Sequence, residues 1–259
     1  MTNMEIGEHR DILGIQVAAC GWTPALERLE QFVDSEGAPR VVNFLNAHNA
    51  NLAMRDLDYR NLLTKCEVLP DGLGVDIASR TFYGTSFPAN LNGTDLVPAL
   101  LVHIERPLRV ALIGGRPDIL KRAAENFASA TPWHTFHAVS DGYFDRSDSA
   151  AILDRLAEID PDITLVAMGS PTQETWIDTH IRQGHGRLVM GVGALFDFVS
   201  GAVPRAPQLF RSLRAEWLWR LVLEPSRLWR RYIVGNPVFL WHVLRYKLKS
   251  ASRGSRITA

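Results

Sequence analysis

The stretch that decides the fold is residues 108–117, which read LRVALIGGRP. Leu108–Ile113 is apolar apart from Arg109, and two glycines and a proline follow it. An apolar run without alternation is typical of a strand that is covered on both faces. Gly-Gly followed by Pro117 predicts a tight turn into the first turn of a helix. Together they predict one strand–turn–helix unit of a parallel α/β sheet.

The same pattern recurs on both sides of this stretch. Short apolar runs alternate with longer stretches that have helical periodicity, so the predicted fold class is α/β, a mostly parallel sheet with crossover helices. Strands are expected at Ile12–Val17, Arg40–Leu45, Leu108–Ile113, His134–Val139, Ile163–Met168 and Leu188–Val192. Helices are expected at Pro24–Val33, Asn49–Met54, Gly74–Tyr83, Leu96–His103, Asp118–Phe127, Ala150–Ile159 and Gln173–Ile181.

The composition indicates a folded globular protein that needs no disulfide or structural metal. The chain has 259 residues, of which 46% are hydrophobic and 22% are charged. Cys20 and Cys66 lie far apart, and neither has a partner at metal-ligand spacing. This argues against a zinc site and a disulfide framework, and it favours a reducing compartment. Met1–Arg10 is polar and predicts no signal peptide.

The formal net charge of zero conceals a strong asymmetry. From residue 205 onward the chain carries 12 Lys and Arg against two acids, Glu216 and Glu224, which leaves the rest at −10. We therefore divide the chain into an acidic body, residues 1–204, and a basic appendage, residues 205–259. The split predicts an anionic partner for the appendage: a membrane surface, a phosphate-bearing ligand or nucleic acid.

The appendage is predicted to be helical. Pro225 suits the first turn of one helix, Gly235 suits its end, and Asn236-Pro237 suits the start of the next. Three helices are therefore expected, at Leu209–Leu223, Pro225–Val234 and Pro237–Lys249.

The appendage is expected to lie on a membrane surface without spanning the membrane. Its longest uncharged run, Tyr232–Leu244, has 13 residues. As a helix this run reaches about 20 Å, against a hydrocarbon core of about 30 Å. A basic helix rich in tryptophan is typical of interfacial binding to anionic lipid. Phe210, Leu213 and Trp217 recur at helical spacing, which packing or membrane insertion explains, so no nucleic-acid partner is predicted.

Two loops after apolar runs have residues suited to proton transfer or phosphate binding. Residues 69–74, LPDGLG, form either a plain turn or a turn that projects Asp71 into a cleft as a general base. In residues 113–117 the backbone amides of Gly114–Arg116 stand at a helix start, where they suit a phosphate. A Gly-Gly turn needs no ligand, however. From the motifs alone, each loop can be either a plain turn or a functional site.

A third loop, residues 168–174, reads MGSPTQE. Ser170 as N-cap, Pro171 at the first helical position and Glu174 near the third form a good helix start without any further function. Gln173 is not needed for that helix start. Its amide can both donate to and accept from a nucleotide base.

Several common site types are not supported by the sequence. Residues 191–201 lack the third glycine and the later acid of a dinucleotide fingerprint, which excludes NAD. The Asp-x-Asp triplets at 56–58 and 160–162 lie in a solvated helix and at the amino end of a strand, so no metal site is predicted. His48 is the one histidine near a site loop, and a packing or surface role suits it.

Ten ordered segments, covering roughly Val41 to Leu248, resemble the TagA/WecG/CpsF family of bacterial glycosyltransferases. One of these segments alone would be poor evidence, whereas ten in order are specific. They are Asn46-Ala-His, Pro70-Asp-Gly-Leu-Gly, Gly93-Thr-Asp, Gly114-Gly-Arg-Pro, Asp141-Gly-Tyr-Phe, Gly169-Ser-Pro-Thr-Gln-Glu, Gly191-Val-Gly with Phe196-Asp and Gly201, Arg205-Ala-Pro, Glu216-Trp-Leu-Trp-Arg, and Glu224-Pro-Ser-Arg with Arg230-Arg-Tyr.

The resemblance implies a Rossmann-like body and an appendage that docks on the cytoplasmic face of the bacterial inner membrane as a peripheral protein. It implies an inverting, metal-independent enzyme without a cofactor. The enzyme would move a hexose-type sugar from a UDP-sugar donor to a polyprenyl-diphosphate-linked sugar, during synthesis of a cell-surface polysaccharide or glycolipid. The competing class is a non-catalytic, membrane-recruited protein that binds nucleotide sugars. The sequence leaves open the sugar, the acceptor, the linkage and whether a homo-oligomer forms.

The resemblance also assigns roles to residues. It implies that Asp71 is the general base and that Asn46 lies beside it. The donor pocket and the donor diphosphate are then lined by Gly114, Gly115, Arg116, Gly169, Ser170, Gln173, Asp197, Arg220, Arg227 and Arg230.

Two details of this assignment remain unsettled by the sequence. In one straight helix Arg220, Arg227 and Arg231 would share a stripe, with Arg230 some 60–80° away. Pro225 breaks that register, so the resemblance favours Arg230, and Arg231 stays an alternative. Phe44 stands where some members of the family have Thr, so any hydrogen bond to substrate from that position is absent.

Overall fold

The computed structural model describes residues 8–145, 149–208, 210 and 215–254, and a six-stranded parallel sheet is at its centre. A two-stranded antiparallel hairpin accompanies the sheet. The strands are β1 His9–Ile12, β2 Ile15–Ala18, β3 Arg40–Leu45, β4 Glu67–Pro70, β5 Arg109–Gly114, β6 Thr135–Ser140, β7 Ile163–Ala167 and β8 Leu188–Gly191. The order in the large sheet is β4-β3-β8-β7-β5-β6.

Helices cover both faces of this sheet. In chain order they are α1 Trp22–Asp34, α2 Ala47–Arg55, α3 Leu57–Leu63, α4 Leu73–Tyr83, α5 Gly93–His103, α6 Pro117–Ala130, α7 Ser149–Ile159, α8 Thr172–His180, α9 Leu195–Val199, α10 Glu216–Leu223, α11 Pro225–Trp229 and α12 Gly235–Gly254. A π-helical turn, Arg230–Val234, joins α11 to α12.

The apolar runs become central strands because helices exclude water from both of their faces. Every residue of β7 is buried, and so is β5 after its first residue. The two strands pair in parallel, with Val110 opposite Ile163 and Gly114 opposite Ala167. The predicted α/β class, with a Rossmann-like parallel sheet and flanking helices, is confirmed.

The expected strand Ile12–Val17 is wrong, because the chain folds back in the middle of it. Ile12 pairs with Ile15 across a two-residue turn, and Leu13 and Gly14 both have positive φ, 57° and 84°. Positive φ at both central residues matches the twist of a tight hairpin. Leu13 is buried, so the apolar pattern runs through the turn and conceals it.

The short strand β4 was missed by the sequence analysis. It has four residues, begins with Glu67 and ends with Pro70, which lacks a backbone N–H. The ladder tolerates this proline because β4 is the edge strand. β4 pairs in parallel with β3, with Leu45 opposite Pro70.

The appendage forms one nearly continuous helical path, so the expected helix end at Gly235 is wrong. Gly235 has helical dihedrals, φ −66° and ψ −39°, and its carbonyl accepts a hydrogen bond from Asn51 Nδ2 at 2.7 Å. The π-helical turn lies just before Pro237, which cannot donate a backbone hydrogen bond. Part of the expected helix from Leu209 lies outside the described residues.

The last helix is also part of the core. Phe239 and Val243 are buried in one apolar cluster with Leu45 and Val75 of the body. The division of the chain at residue 205 therefore stays a prediction about sequence and charge. In packing, α12 is continuous with the body.

Candidate active site

An open cleft of about 1620 Å³ lies at the carboxyl ends of the parallel strands. This is where ligands bind in open α/β sheets. One wall consists of the loops that follow β3, β4, β5, β7 and β8, and the other consists of α10, α11, the π-helical turn and the start of α12. Body and appendage therefore share one site.

Asn46 and Asp71 meet in this cleft because their strands are neighbours in register. Leu45 pairs with Pro70, so the residues that follow them lie side by side. Asn46 is the N-cap of α2, and its Oδ1 accepts from the backbone amides of His48 and Asn49, both at 3.1 Å. Its Nδ2 donates to Asp71 Oδ2 at 3.0 Å. The helix cap thus fixes the amide that orients the carboxylate.

Burial sets the proton affinity of Asp71. Desolvation raises the pKa of its carboxyl above the ordinary range, and the hydrogen bond from Asn46 and the charges of Arg231 and Arg220 oppose that rise. Desolvation is the larger effect. A carboxylate with a raised pKa is a stronger base than a solvated one, as proton abstraction requires.

Arg231, rather than Arg230, faces Asp71. Arg231 is half-buried, and its charge acts on the carboxyl of Asp71 and on the ring of His48. Arg230 is exposed, with its guanidinium 5.3 Å from the ring centroid of Trp229. Among the described residues, Arg231 Nε has no hydrogen-bond partner although it is buried. Both arginines line the cleft, but only Arg231 turns toward its floor.

Arg220 and Arg227 lie beside Asp197, and the charge of Arg220 also acts on Asp71. Burial raises the pKa of Asp197, and the charges of Arg227 and Arg220 oppose the rise. Arg220 stacks on Phe198 at 5.3 Å, and its buried Nε has no hydrogen-bond partner among the described residues. Arg227 is paired with Glu224 at 2.6 Å. Here the structure brings together three of the residues expected near the donor.

A salt bridge that the sequence did not predict attaches this arginine wall to the body. Arg205 reaches Asp95 of α5 at 2.5 Å and Glu216 of α10 at 3.3 Å. Its guanidinium also lies 5.4 Å from the ring of Phe198. The sequence marks Arg205 by its place at the composition boundary and in the segment Arg205-Ala-Pro, but neither signal identifies its partners.

The loop after β5 approaches its neighbour closely. Gly114 has φ +121°, and a Cβ there would lie 2.2 Å from the carbonyl oxygen of Ala167. The amide of Gly115 donates to that same oxygen at 3.0 Å, so it is not free for a phosphate. Arg116 is 62% exposed and pairs with Asp118. Gly115 and Arg116 line the cleft at its outer edge.

Gln173 connects two glycine loops and is 3% exposed. Its Oε1 accepts from the amides of Gly169 at 3.2 Å and Gly193 at 3.0 Å, and its Nε2 donates to Glu174 Oε1 at 3.0 Å. Ser170 Oγ donates to the same carboxylate oxygen at 2.6 Å, and Pro171 is the N-cap of α8. The expected cap at Ser170 is therefore wrong by one residue, because that hydroxyl is turned to Glu174.

The rejected metal triplets have structural roles. Asp56 caps α3, accepting from the amides of Asp58 and Tyr59. Asp162 accepts from the amide of Arg109 and pairs with Arg187 at the amino end of β7. Within the described residues, no three His, Cys, Asp or Glu side chains converge on one point. In the same part of the chain no helix is both long and apolar enough to cross a membrane.

Known proteins match this chain over nearly its whole length. The sequence model described as "Glycosyl transferase WecG/TagA/CpsF family" matches residues 10–253. The chain is 31% identical over 213 residues to the N-acetylglucosaminyldiphosphoundecaprenol N-acetyl-beta-D-mannosaminyltransferase of Bacillus subtilis (strain 168), covering 82% of each chain. It is 28% identical over 251 residues to the enzyme of the same name from Staphylococcus aureus (strain NCTC 8325 / PS 47), covering 92% of this chain and 93% of that one.

Proposed function

The chain belongs to the WecG/TagA/CpsF family of glycosyltransferases, and we propose that it moves a sugar from a UDP-sugar to a polyprenyl-diphosphate-linked sugar. It is an enzyme of cell-envelope polysaccharide synthesis. The names of its relatives make N-acetylmannosamine the first sugar to test and N-acetylglucosaminyl-diphosphoundecaprenol the first acceptor. One observation carries the proposal: a half-buried, oriented carboxylate with a raised pKa, Asp71, shares the cleft with a wall of arginines.

The reaction is a direct displacement that needs a base and a stabilised leaving group. The acceptor hydroxyl attacks the anomeric carbon as its proton passes to Asp71, the bond from that carbon to the UDP oxygen breaks, and the configuration inverts. Asn46 holds the carboxylate at the angle that its helix cap fixes. A pre-oriented base near its working pKa typically contributes about 10²- to 10⁴-fold to the rate.

Arginines supply the positive charge that the departing UDP requires. Arg220 and Arg227 lie beside Asp197, near the loops after β5 and β8. The buried Nε of Arg220 is a donor without a partner in the described structure, which a diphosphate oxygen would satisfy. Cations placed in advance where charge develops can stabilise the leaving group without a metal ion.

Apolar side chains in the appendage support docking on a membrane. Most of the large apolar side chains that are exposed in the described residues lie beyond residue 217. On α12 the side chains of Leu240, Trp241, Leu244 and Leu248 are exposed, among cations of the basic tail. A basic helix with an apolar exposed face suits an anionic lipid surface, here the cytoplasmic face of the inner membrane.

Turnover with defined substrates tests this proposal. The protein is incubated with a panel of UDP-sugars and N-acetylglucosaminyl-diphosphoundecaprenol, with and without EDTA, and product masses are read. We expect one sugar to be added with UDP released, and EDTA to leave the rate unchanged. Activity that EDTA abolishes and manganese restores contradicts the metal-free step. UDP-sugar binding without a product from any donor supports the non-catalytic class instead.

A further inference from the structure

A second group of cations lines the cleft on the side of α2, away from Asp197. Arg55 is the last residue of α2, and His48 lies two turns earlier on the same face of that helix. Arg231 approaches them from the π-helical turn. The pKa of His48 is lowered to about 4, by burial first and then by the charges of Arg231 and Arg55. All three residues line the cleft.

The two guanidinium groups form no close ion pair in the described part of the chain, although the charge of Arg231 acts on Asp71. Within the described residues neither Arg55 nor Arg231 has an ion-pair partner, and the buried Arg231 Nε has no hydrogen-bond partner. By contrast, Arg205, Arg116 and Arg227 are each paired with an acid. Arg55 alone has a structural explanation, since a cation in the last turn complements a helix dipole. That explanation does not extend to a second guanidinium with a buried, unsatisfied donor.

The wall beside this group of cations is apolar. Ile233, Val234 and Leu240 line the same cleft, and they are 55%, 48% and 40% exposed. A ligand that binds both the cations and this wall is anionic at one end and hydrocarbon at the other. A polyprenyl diphosphate has that order of groups.

The donor side is occupied by other cations. Arg220 of the donor side and Arg231 both act on the pKa of Asp71. The proposed reaction requires two diphosphates in one cleft, and two such anions on one set of arginines would repel each other strongly. Two separate cation groups, one beside Asp197 and one beside His48, resolve that conflict.

We infer that Arg55, Arg231 and His48 form the subsite for the diphosphate of the lipid-linked acceptor, distinct from the donor diphosphate site at Arg220 and Arg227. The inference rests on the proposed function. His48 is neutral above a pKa of about 4, so it contributes a hydrogen-bond donor rather than a charge. The apolar side chains of the π-helical turn and α12 then receive the first isoprene units.

Calorimetric binding of farnesyl diphosphate to the full chain, at saturating UDP, tests the subsite without turnover. We expect Arg55→Gln to weaken that binding about tenfold or more, because a charge-assisted hydrogen bond is lost, and to leave the affinity for UDP unchanged. Lys121→Gln is the matched control, since Lys121 is an exposed cation of α6 outside the cleft. Equal farnesyl diphosphate affinity in wild type and Arg55→Gln overturns the inference, as does failure of the wild type to bind it.

Two more ligands show whether these cations bind a lipid-linked diphosphate, a free diphosphate or a membrane headgroup. Inorganic pyrophosphate should bind more weakly than farnesyl diphosphate and lose affinity in Arg55→Gln, because it shares only the charge. Phosphatidylglycerol vesicles should bind wild type and Arg55→Gln alike. An Arg55→Gln protein that loses only vesicle binding assigns these cations to membrane headgroups and overturns the inference. Absence of glycosyl transfer would reject the proposed function but leave these binding results intact.

Discussion

Asn46 and Asp71 give the cleft its chemistry, and burial of the carboxylate comes at a cost to stability. The raised pKa means that the folded chain holds this proton more tightly than the unfolded chain. The free energy of unfolding therefore falls as the pH rises from the unfolded pKa through the folded pKa. Above the folded pKa the protein carries the penalty of a desolvated charge, a known compromise at active sites.

The first prediction follows from that penalty. Asp71→Asn removes the buried charge and keeps the turn, because Asn suits the same backbone conformations. We expect the variant to melt above wild type at pH 7, by about 2–4 °C per kcal/mol, in differential scanning calorimetry. The difference should shrink as the pH is lowered, because wild-type Asp71 then becomes protonated in the folded protein. A lower melting temperature at pH 7 would show that the bond from Asn46 outweighs desolvation.

Gln173 is expected to position loops rather than to read the nucleotide base. Its amide is used within the protein, since it holds the amides of Gly169 and Gly193 and donates to Glu174. We predict that Gln173→Leu lowers the free energy of unfolding by about 2–4 kcal/mol, because buried donors lose partners. The donor KM should rise about tenfold, while the preference for UDP over CDP and ADP in competition assays stays unchanged.

Gln183→Leu is the control for this variant, because Gln183 is an exposed glutamine just beyond α8. It should match wild type in stability and kinetics. A Gln173→Leu protein of normal stability that accepts CDP as readily as UDP would return Gln173 to the role of base contact.

At the scale of the element, the two arginines that begin the π-helical turn differ in which one faces Asp71. A π-helical turn adds a residue to one helical turn and so rotates the side chains that follow it, often at functional sites. Here Arg231 lies inward and Arg230 lies against Trp229. The straight-helix projection places Arg231 on one stripe with Arg220 and Arg227, whereas the family motif favours Arg230.

The two neighbouring arginines form a matched pair for experiment. We predict that Arg231→Gln lowers kcat/KM about tenfold or more, because a buried guanidinium beside the reacting groups is lost. Arg230→Gln should stay within about twofold of wild type. The measurement is steady-state transfer by both variants at equal concentration. The opposite ranking would mean that the register of the appendage differs when substrate is bound.

The strands show what the sequence could and could not predict. The pattern in residues 108–117 was enough to predict the parallel sheet, because buried strands have a distinctive composition. Asp71 and Asn46 were both found by motif. The resemblance placed Asn46 beside Asp71, but the strand register that brings them together was not predicted, because β4 is a four-residue edge strand whose proline resembled part of a turn. The hairpin was missed for a related reason, since its buried Leu13 continues the apolar pattern.

At the scale of the whole molecule, the charge asymmetry predicted a functional division but not a physical one. The basic tail does close over the cleft, yet Phe239 is fully buried in the core of the body. Burial of one such side chain is worth about 1.5–3 kcal/mol. Deleting the appendage would therefore destabilise the body as well as open the site, so point variants test its roles more cleanly.

Membrane docking is best tested on the exposed face of α12. We predict that changing Leu244 and Leu248 to Ser weakens binding to phosphatidylglycerol vesicles about tenfold or more in sedimentation assays, because apolar area no longer enters the interface. Transfer to a short-chain, water-soluble acceptor should stay near the wild-type rate. The control changes Leu57 and Val102 to Ser, which are equally exposed elsewhere. Equal vesicle binding by both double variants would contradict docking through α12.

The account as a whole depends on Asp71 as the base of glycosyl transfer, and the rate of Asp71→Asn tests that most directly. Single-turnover transfer and UDP affinity are measured on the same preparation, with folding checked by circular dichroism. We predict a rate loss on the order of 10²-fold or more, with UDP affinity within about twofold of wild type. A folded variant that keeps more than about a third of wild-type turnover would show that Asp71 is a turn residue and contradict the mechanism.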